Sequence, residues 1–222
     1  MQQALKLPAP PEVIIFDFDG VIIDSADIKL RAYTTIYADE DPAKLKELTL
    51  HATLHGGITR RDKFITYERD FFGRAADAQT IDLLCRRYSD LVYAAVIACP
   101  FIRGAIELLD VTLGKVPMHV VSGTPETELI RVVEDRKLTR YFKTVRGAPA
   151  KKPDAFAQIV RNQGCRPAAA LAVGDSMTEY LAAKDLGIPF LGVAPKNAEN
   201  PFPEGVFVLP SLVDACRVLA VA

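Results

Sequence analysis

The chain has 222 residues, half of them apolar and 25% charged, with a net charge of −1. This is an ordinary globular composition with material for a full core, which excludes a disordered or fibrous chain. The balanced charge gives no global basic field for nucleic acid or an anionic membrane, and no apolar stretch nears the roughly 20 residues that a membrane span needs.

The first residues, MQQALKLPAPP, lack the charged-then-apolar layout of a secretory signal and read as a short disordered lead-in. Residues 12–17, EVIIFD, read as a short strand buried on both faces. From 26 to 98 no strand is convincing. Apolar residues there recur at three and four, as in Ile28, Ala32, Ile36 and later Ile81, Leu84, Tyr88, Leu91, which predicts helices over 26–38, 42–53, 59–72 and 78–97. Pro100 ends that block, and a helix over 103–113 follows, stopped by Gly114. Strands and helices then alternate: strand 118–122, helix 125–137, strand 141–145, helix 153–163, strand 170–174, helix 178–186, strand 189–193, strand 207–210 and a closing helix over 211–220. Such alternation implies βαβ units and a parallel sheet covered on both faces. The expected architecture is therefore an α/β, Rossmann-like doubly wound parallel sheet built from residues 1–24 and 99–222, with an inserted α-helical cap domain at 25–98. The four cysteines, Cys85, Cys99, Cys165 and Cys216, are scattered with no CxxC pair, the pattern of reduced thiols in a cytoplasmic protein.

Ligands of doubly wound sheets bind outside the carboxyl ends of the strands. At those ends stand Asp17 and Asp19 after the first strand, Ser122, Gly123 and Thr124 after the second, Lys151 and Lys152 beyond the third, and Gly174, Asp175, Ser176 and Glu179 after the fourth. Each alone has a bland explanation: an Asp at a strand end is commonly a helix cap, Ser122 a turn residue, Lys152 a solvated cation. Together they put carboxylates, a hydroxyl and an ammonium at one mouth. Clustered carboxylates repel one another unless a cation sits among them, and oxygen-only ligation suits Mg²⁺, which also takes phosphate oxygens. The serine hydroxyl and the backbone N–H groups at Gly123 and around Gly20 form a phosphate cradle. One aspartate can attack phosphorus while the other moves a proton.

DFDGVIIDS, VVSGTP, the Lys152 region and VGDSMTEY resemble, in order, the four motifs of the haloacid dehalogenase (HAD) superfamily. The resemblance implies that Asp17 is the nucleophile and Asp19 the general acid/base, whose backbone carbonyl also reaches the metal. It implies that Ser122 and Lys152 hold the phosphoryl group and that Asp17, Asp19 and Asp175 ligate Mg²⁺, with Glu179 and Ser176 near the metal's waters. Gly-x-Pro-x-x-Lys fits Gly147, Pro149 and Lys152, which favours Lys152 over Lys151 as the phosphate-binding lysine, with Pro153 at the first helical position. Asp19 separates phosphoryl transfer from dehalogenation, since halide departure needs no proton.

The insert resembles the C1 cap of subfamily I, which closes over the site. Its HGGITRRDKF segment, 55–64, is similar to the part of β-phosphoglucomutase that brings an arginine to the substrate's second phosphate, so Arg60 is expected to grip an anionic group on the substrate. The alternative is a capping turn with Thr59 as N-cap and Arg60 exposed. Lys29 stands where the mutase has a histidine and is expected to add positive charge beside a bound ester. Gly174-Asp175 stands where the mutase has Glu-Asp, a spelling commoner among phosphatases. The sequence therefore points to a cytoplasmic Mg²⁺-dependent phosphomonoester hydrolase, monomeric or weakly dimeric, with a sugar phosphate or phosphoglycolate-like substrate and with no nucleic-acid or membrane partner. A sugar-phosphate mutase is the alternative. Phosphonate hydrolysis, through a cap lysine such as Lys29 or Lys63, is a more distant one.

Overall fold

The computed structural model describes residues 10–195, 199–215 and 219. The lead-in at 1–9 and Cys216 therefore lie outside the described residues, as does most of the closing helix. Within the described part, residues 211–214 form bends and turns, and helix appears only at Ala215 and Leu219.

Six strands form one parallel sheet in the order β3-β2-β1-β4-β5-β6. They are β1 Val13–Phe16, β2 Met118–Pro125, β3 Phe142–Ala148, β4 Ala170–Gly174, β5 Phe190–Val193 and β6 Val208–Leu209. β1 lies between β2 and β4, with Ile14 in register with both Met118 and Leu171. The order reverses at β1, so the switch point, where such sheets bind ligands, falls at the end of the strand that leads into Asp17. The inner strands β1 and β4 are apolar, fully buried runs because both of their faces are covered, whereas the edge strand β3 is partly exposed. Val13 and Ile15 pack with Phe156 and Ile159 of α7 (Lys152–Gln163) and with Ala182 and Ala183 of α8 (Met177–Leu186). Ile14, Phe16 and Phe18 face the other way, toward Leu108 and Leu109 of α5 (Ala105–Thr112) and Leu129, Val132 and Val133 of α6 (Glu126–Asp135). Period-two alternation carried past the strand thus leaves Asp17 and Phe18 on opposite sides.

Between β1 and β2 the chain runs through α1 (Ala26–Ile36), α2 (Pro42–Leu54), α3 (Arg60–Thr66) and α4 (Ala78–Ala98). The expected helix at 59–72 is broken in kind: α3 passes into a π-turn over Tyr67–Phe71, closed by a Phe72 N–H to Tyr67 carbonyl bond of 3.0 Å. An aromatic cluster joins these helices, with Tyr33 of α1 4.6 Å from Tyr88 of α4 and 5.4 Å from Phe64 of α3 between ring centroids. Burial of such rings dominates the packing of the segment. The entry and exit of the segment run side by side: Ile23 bridges Phe101, and Asp24 N–H donates to the Pro100 carbonyl at 2.9 Å. Arg136, just after α6, donates to the Ile97 and Cys99 carbonyls at 2.7 and 2.6 Å, satisfying the open end of α4.

Three further boundaries differ from the sequence reading. β2 continues past Ser122 to Pro125, because Pro125 pairs with Ala148 of β3. Tyr141 lies in a 3₁₀ turn rather than in β3, and α6 stops at Asp135, the chain turning at Lys137 with φ of 59°.

Candidate active site

The loop after β1 sets the site. Asp17 is buried, its backbone N–H donates to the Val173 carbonyl of β4 at 2.8 Å, and its Oδ1 accepts from the Phe18 N–H at 2.7 Å. Gly20 follows with φ of +74°, where a side chain would be strained and would also overlap the Asp175 carboxylate. The glycine therefore allows the β1 and β4 loops to meet, which brings Asp175 beside Asp17.

Lys152 is buried, and its Nζ lies 3.3 Å from Asp17 Oδ2 and also pairs with Glu179 Oε1. Lys151 is exposed and precedes the helix, which starts at Lys152 itself, with Pro153 one place further in than the sequence suggested. Glu179 is fully buried at the first turn of α8. It forms a capping box with Ser176, accepting from the Ser176 N–H at 3.0 Å and from its hydroxyl, and it also accepts from Thr178 Oγ1 at 2.9 Å. The same side chain thus caps α8 and stands beside Lys152, Asp17 and Asp175.

Carboxylate oxygens of Asp17, Asp175 and Glu179 all lie within 4.8 Å of one another, an oxygen-only donor set that fits a hard divalent cation. Like charge and burial are felt there. Burial and Asp17 push the Asp175 carboxyl up to about 8 against the pull of Lys152. Asp17 is likewise raised by burial and by Asp19, with Lys152 opposing.

The Asp19 carboxylate is turned away from this cluster. Its Oδ1 accepts from Ser25 at 2.6 Å, and its Oδ2 accepts from Lys29 Nζ at 2.5 Å, Thr124 Oγ1 at 3.1 Å and Ser122 Oγ at 3.3 Å. Burial would raise its pKa, but Lys29, Ser25 and Thr124 outweigh it, so Asp19 is held below the usual carboxylate value. Lys29 also donates to Thr124 Oγ1 at 2.6 Å, so this ammonium rests on the proton-transfer candidate itself. Ser122 is buried and accepts from the Thr124 N–H at 3.2 Å. Gly123 packs beneath the Gly57 carbonyl of the α2–α3 loop.

Arg60 is placed differently from either expectation. Thr59 is the N-cap of α3, as the capping alternative has it, but Arg60 is buried. Its guanidinium meets Glu128 of α6 with two bonds of 2.8 Å, takes Ser89 Oγ at 2.5 Å and stacks 4.3 Å from the Tyr88 ring centroid. Thr124 and Ser25, which orient Asp19, stand inside the first two motifs, whose spelling gives them no role, and Glu128 lies outside all four. Only the position of Thr124, two after Ser122 and hence on the same side of β2, foreshadows its part.

A doubly wound sheet with carboxylates, a lysine and a serine gathered at its switch point defines a hydrolase-type site. Residues 14–193 match the family model described as haloacid dehalogenase-like hydrolase. The chain is 31% identical over 201 residues to a phosphoglycolate phosphatase of Caulobacter vibrioides, covering 85% of this chain and 81% of that protein. It is 27% identical over 188 residues to phosphoglycolate phosphatase 1 of Pseudomonas aeruginosa, covering 80% and 67%. The crystal structure of CbbY from Rhodobacter sphaeroides in complex with phosphate superposes with a TM-score of 0.72 at 18% identity, covering 95% of this chain and 99% of that one. The chain belongs to the haloacid dehalogenase-like hydrolases, and it is a phosphatase of that family.

Proposed function

We propose that the protein is a Mg²⁺-dependent phosphomonoester hydrolase that works through an aspartyl-phosphate and takes a small phosphorylated metabolite of the sugar-phosphate or phosphoglycolate kind. The observation that carries this reading is the placement of Asp17: a buried carboxylate at the switch point, 3.3 Å from Lys152 and grouped with Asp175 and Glu179. In this reading Asp17 attacks phosphorus, the bond to the leaving oxygen breaks, and Asp19 gives that oxygen a proton. Water then attacks the phosphoryl group, its proton passes to Asp19, and the bond to Asp17 breaks. Lys152 and Ser122, with the N–H group at Gly123, hold the phosphoryl oxygens, while the Gly20 N–H, expected in the cradle, is taken by the Ile23 carbonyl at 2.8 Å. Asp17, Asp175 and the Asp19 carbonyl would hold the cation, with Glu179 and Ser176 around its waters. That ion would supply the charge neutralisation which lets an anionic ester approach a carboxylate.

Helices α1–α4, with the adjoining segments over 25–98, are read as the cap, and residues 1–24 and 99–222 as the catalytic core. The bridged entry and exit segments and the contacts of Lys29 and Arg60 with the core support this division. The Arg60–Glu128 pair argues against a mutase, since it occupies the arginine that would bind a second phosphate. It also withdraws Arg60 from the substrate-binding role expected of it. The test is release of inorganic phosphate from p-nitrophenyl phosphate with Mg²⁺ and with excess chelator. Turnover should need the metal and return when Mg²⁺ is restored, and metal-independent turnover would contradict the reading.

A further inference from the structure

Among the described residues, three lysines and arginines on the helices of residues 26–98 are withdrawn from solvent, and two of them are matched by carboxylates. Lys29 is on Asp19, and Arg60 is on Glu128. The third is Lys63 of α3, which is 4% exposed. Its Nζ donates to the Ala52 carbonyl at 3.2 Å and lies 5.1 Å from the centroid of the Tyr33 ring. Among the described residues its side chain has no other hydrogen bond and no carboxylate in ion-pairing range.

Ala52 lies in the last turn of α2, so one N–H of Lys63 helps close that helix. An ammonium has three donors. The other two, and most of the charge, are uncompensated in a buried place, where an unpaired cation is costly. Burial and the nearby Lys29 bring Lys63 down to about 8, and the group pulling the other way is Asp175, at the end of β4. Lys63 is three residues past Arg60 and likewise buried, so it shares the face of α3 that Arg60 turns toward α6 of the core. A methyl group on Gly57 would overlap Thr178 Oγ1 and Ser176 Oγ, so the loop before α3 lies directly on the core.

We propose that Lys63 is a specificity-determining residue that binds an anionic group, a carboxylate, at the end of a small phosphate monoester opposite its phosphoryl group. This rests on the phosphatase reading above. It reassigns the anion-reading role of the cap from Arg60, whose charge Glu128 already meets, to the cation left open three residues further on.

The experiment compares 2-phosphoglycolate with ethyl phosphate, which has a methyl group in place of the carboxylate. The readout is the ratio of their kcat/KM values in the wild type, in Lys63→Met and in Lys63→Arg. The wild type should favour 2-phosphoglycolate. Lys63→Met should cut the ratio by about 30-fold, the scale for losing a desolvated charge partner, and Lys63→Arg should restore most of it. A ratio is insensitive to a partly folded variant, which lowers both rates alike. A wild-type ratio near one, or a ratio unchanged in Lys63→Met, would overturn the proposal while leaving the phosphatase reading intact. Failure of the wild type to release phosphate from these esters and from p-nitrophenyl phosphate would overturn both.

Discussion

Arg60 and Glu128 meet in a two-point contact, guanidinium against carboxylate with both bonds at 2.8 Å, that ties α3 to α6. The pair is nearly buried, with side-chain exposures of 6% and 14%, and Ser89 Oγ bonds to both partners. Fork-on-fork geometry of this kind is the strong form of the ion pair. A double-mutant cycle with Arg60→Met and Glu128→Gln, read by denaturant unfolding, should give a coupling of about 2 kcal/mol. Additive effects would mean that the pair does not tie the two helices together.

The second prediction concerns closure. Gly57 sits against Ser176 and Thr178, with Gly123 packed below its carbonyl. A side chain there must push the α2–α3 loop off the core. Gly57→Ala should lower kcat/KM about 10-fold or more through incomplete closure while the unfolding midpoint changes little. Steady-state kinetics alongside thermal unfolding separate the two effects.

Much of this arrangement was legible from the sequence, and what was not has a common cause. The inner strands announce themselves as short apolar runs, because a parallel sheet covered on both faces leaves few polar positions there, while β3, at the sheet edge with Lys143, Thr144 and Arg146, gives the weaker signal. Asp17, Ser122, Lys152 and Asp175 follow once the strand ends are found. Glu128 could not be found that way: it faces Arg60 from 68 residues along the chain, and nothing local marks it. The segment 57–60 spells an anion-gripping element, yet the protein supplies the anion itself. Lys63 is three residues past Arg60 and so shares its helix face, but the sequence gives no sign that this face is buried. The π-turn after α3 is equally silent, since its bonding differs from an α-helix by one residue per turn.

Lys29 offers a third prediction. Its Nζ, 2.5 Å from Asp19 Oδ2, is the largest influence holding that carboxyl below its ordinary value against burial. Lys29→Met leaves burial unopposed by this charge, so the Asp19 pKa should rise. The limb of the pH–rate profile that Asp19 governs should move to higher pH, with the profile of kcat/KM as the measurement. An unmoved limb would separate Asp19 from Lys29 in function.

A fourth prediction concerns stability alone. His119 on β2 is buried, with Nδ1 at 2.7 Å from Thr144 Oγ1 and no partner for Nε2. Burial, with a smaller push from Lys143, takes it from its ordinary 6.5 down to about 4. Between those values the unfolded chain binds more protons than the folded one, so stability rises with pH there. The contribution is fully present above pH 6.5 and is lost as pH falls to about 4. The thermal midpoint of the wild type should therefore fall more steeply over this window than that of His119→Gln, and parallel curves would show that His119 does not titrate this way.

The account turns on Asp17 as the group that attacks phosphorus. The direct measurement is phosphate release from p-nitrophenyl phosphate, with saturating Mg²⁺, by the wild type and by Asp17→Asn. Asparagine keeps the shape and the bond from the Phe18 N–H but removes the nucleophile, so the rate should fall by about 1,000-fold or more while the protein stays folded. Turnover by Asp17→Asn within about tenfold of the wild type would contradict the central claim.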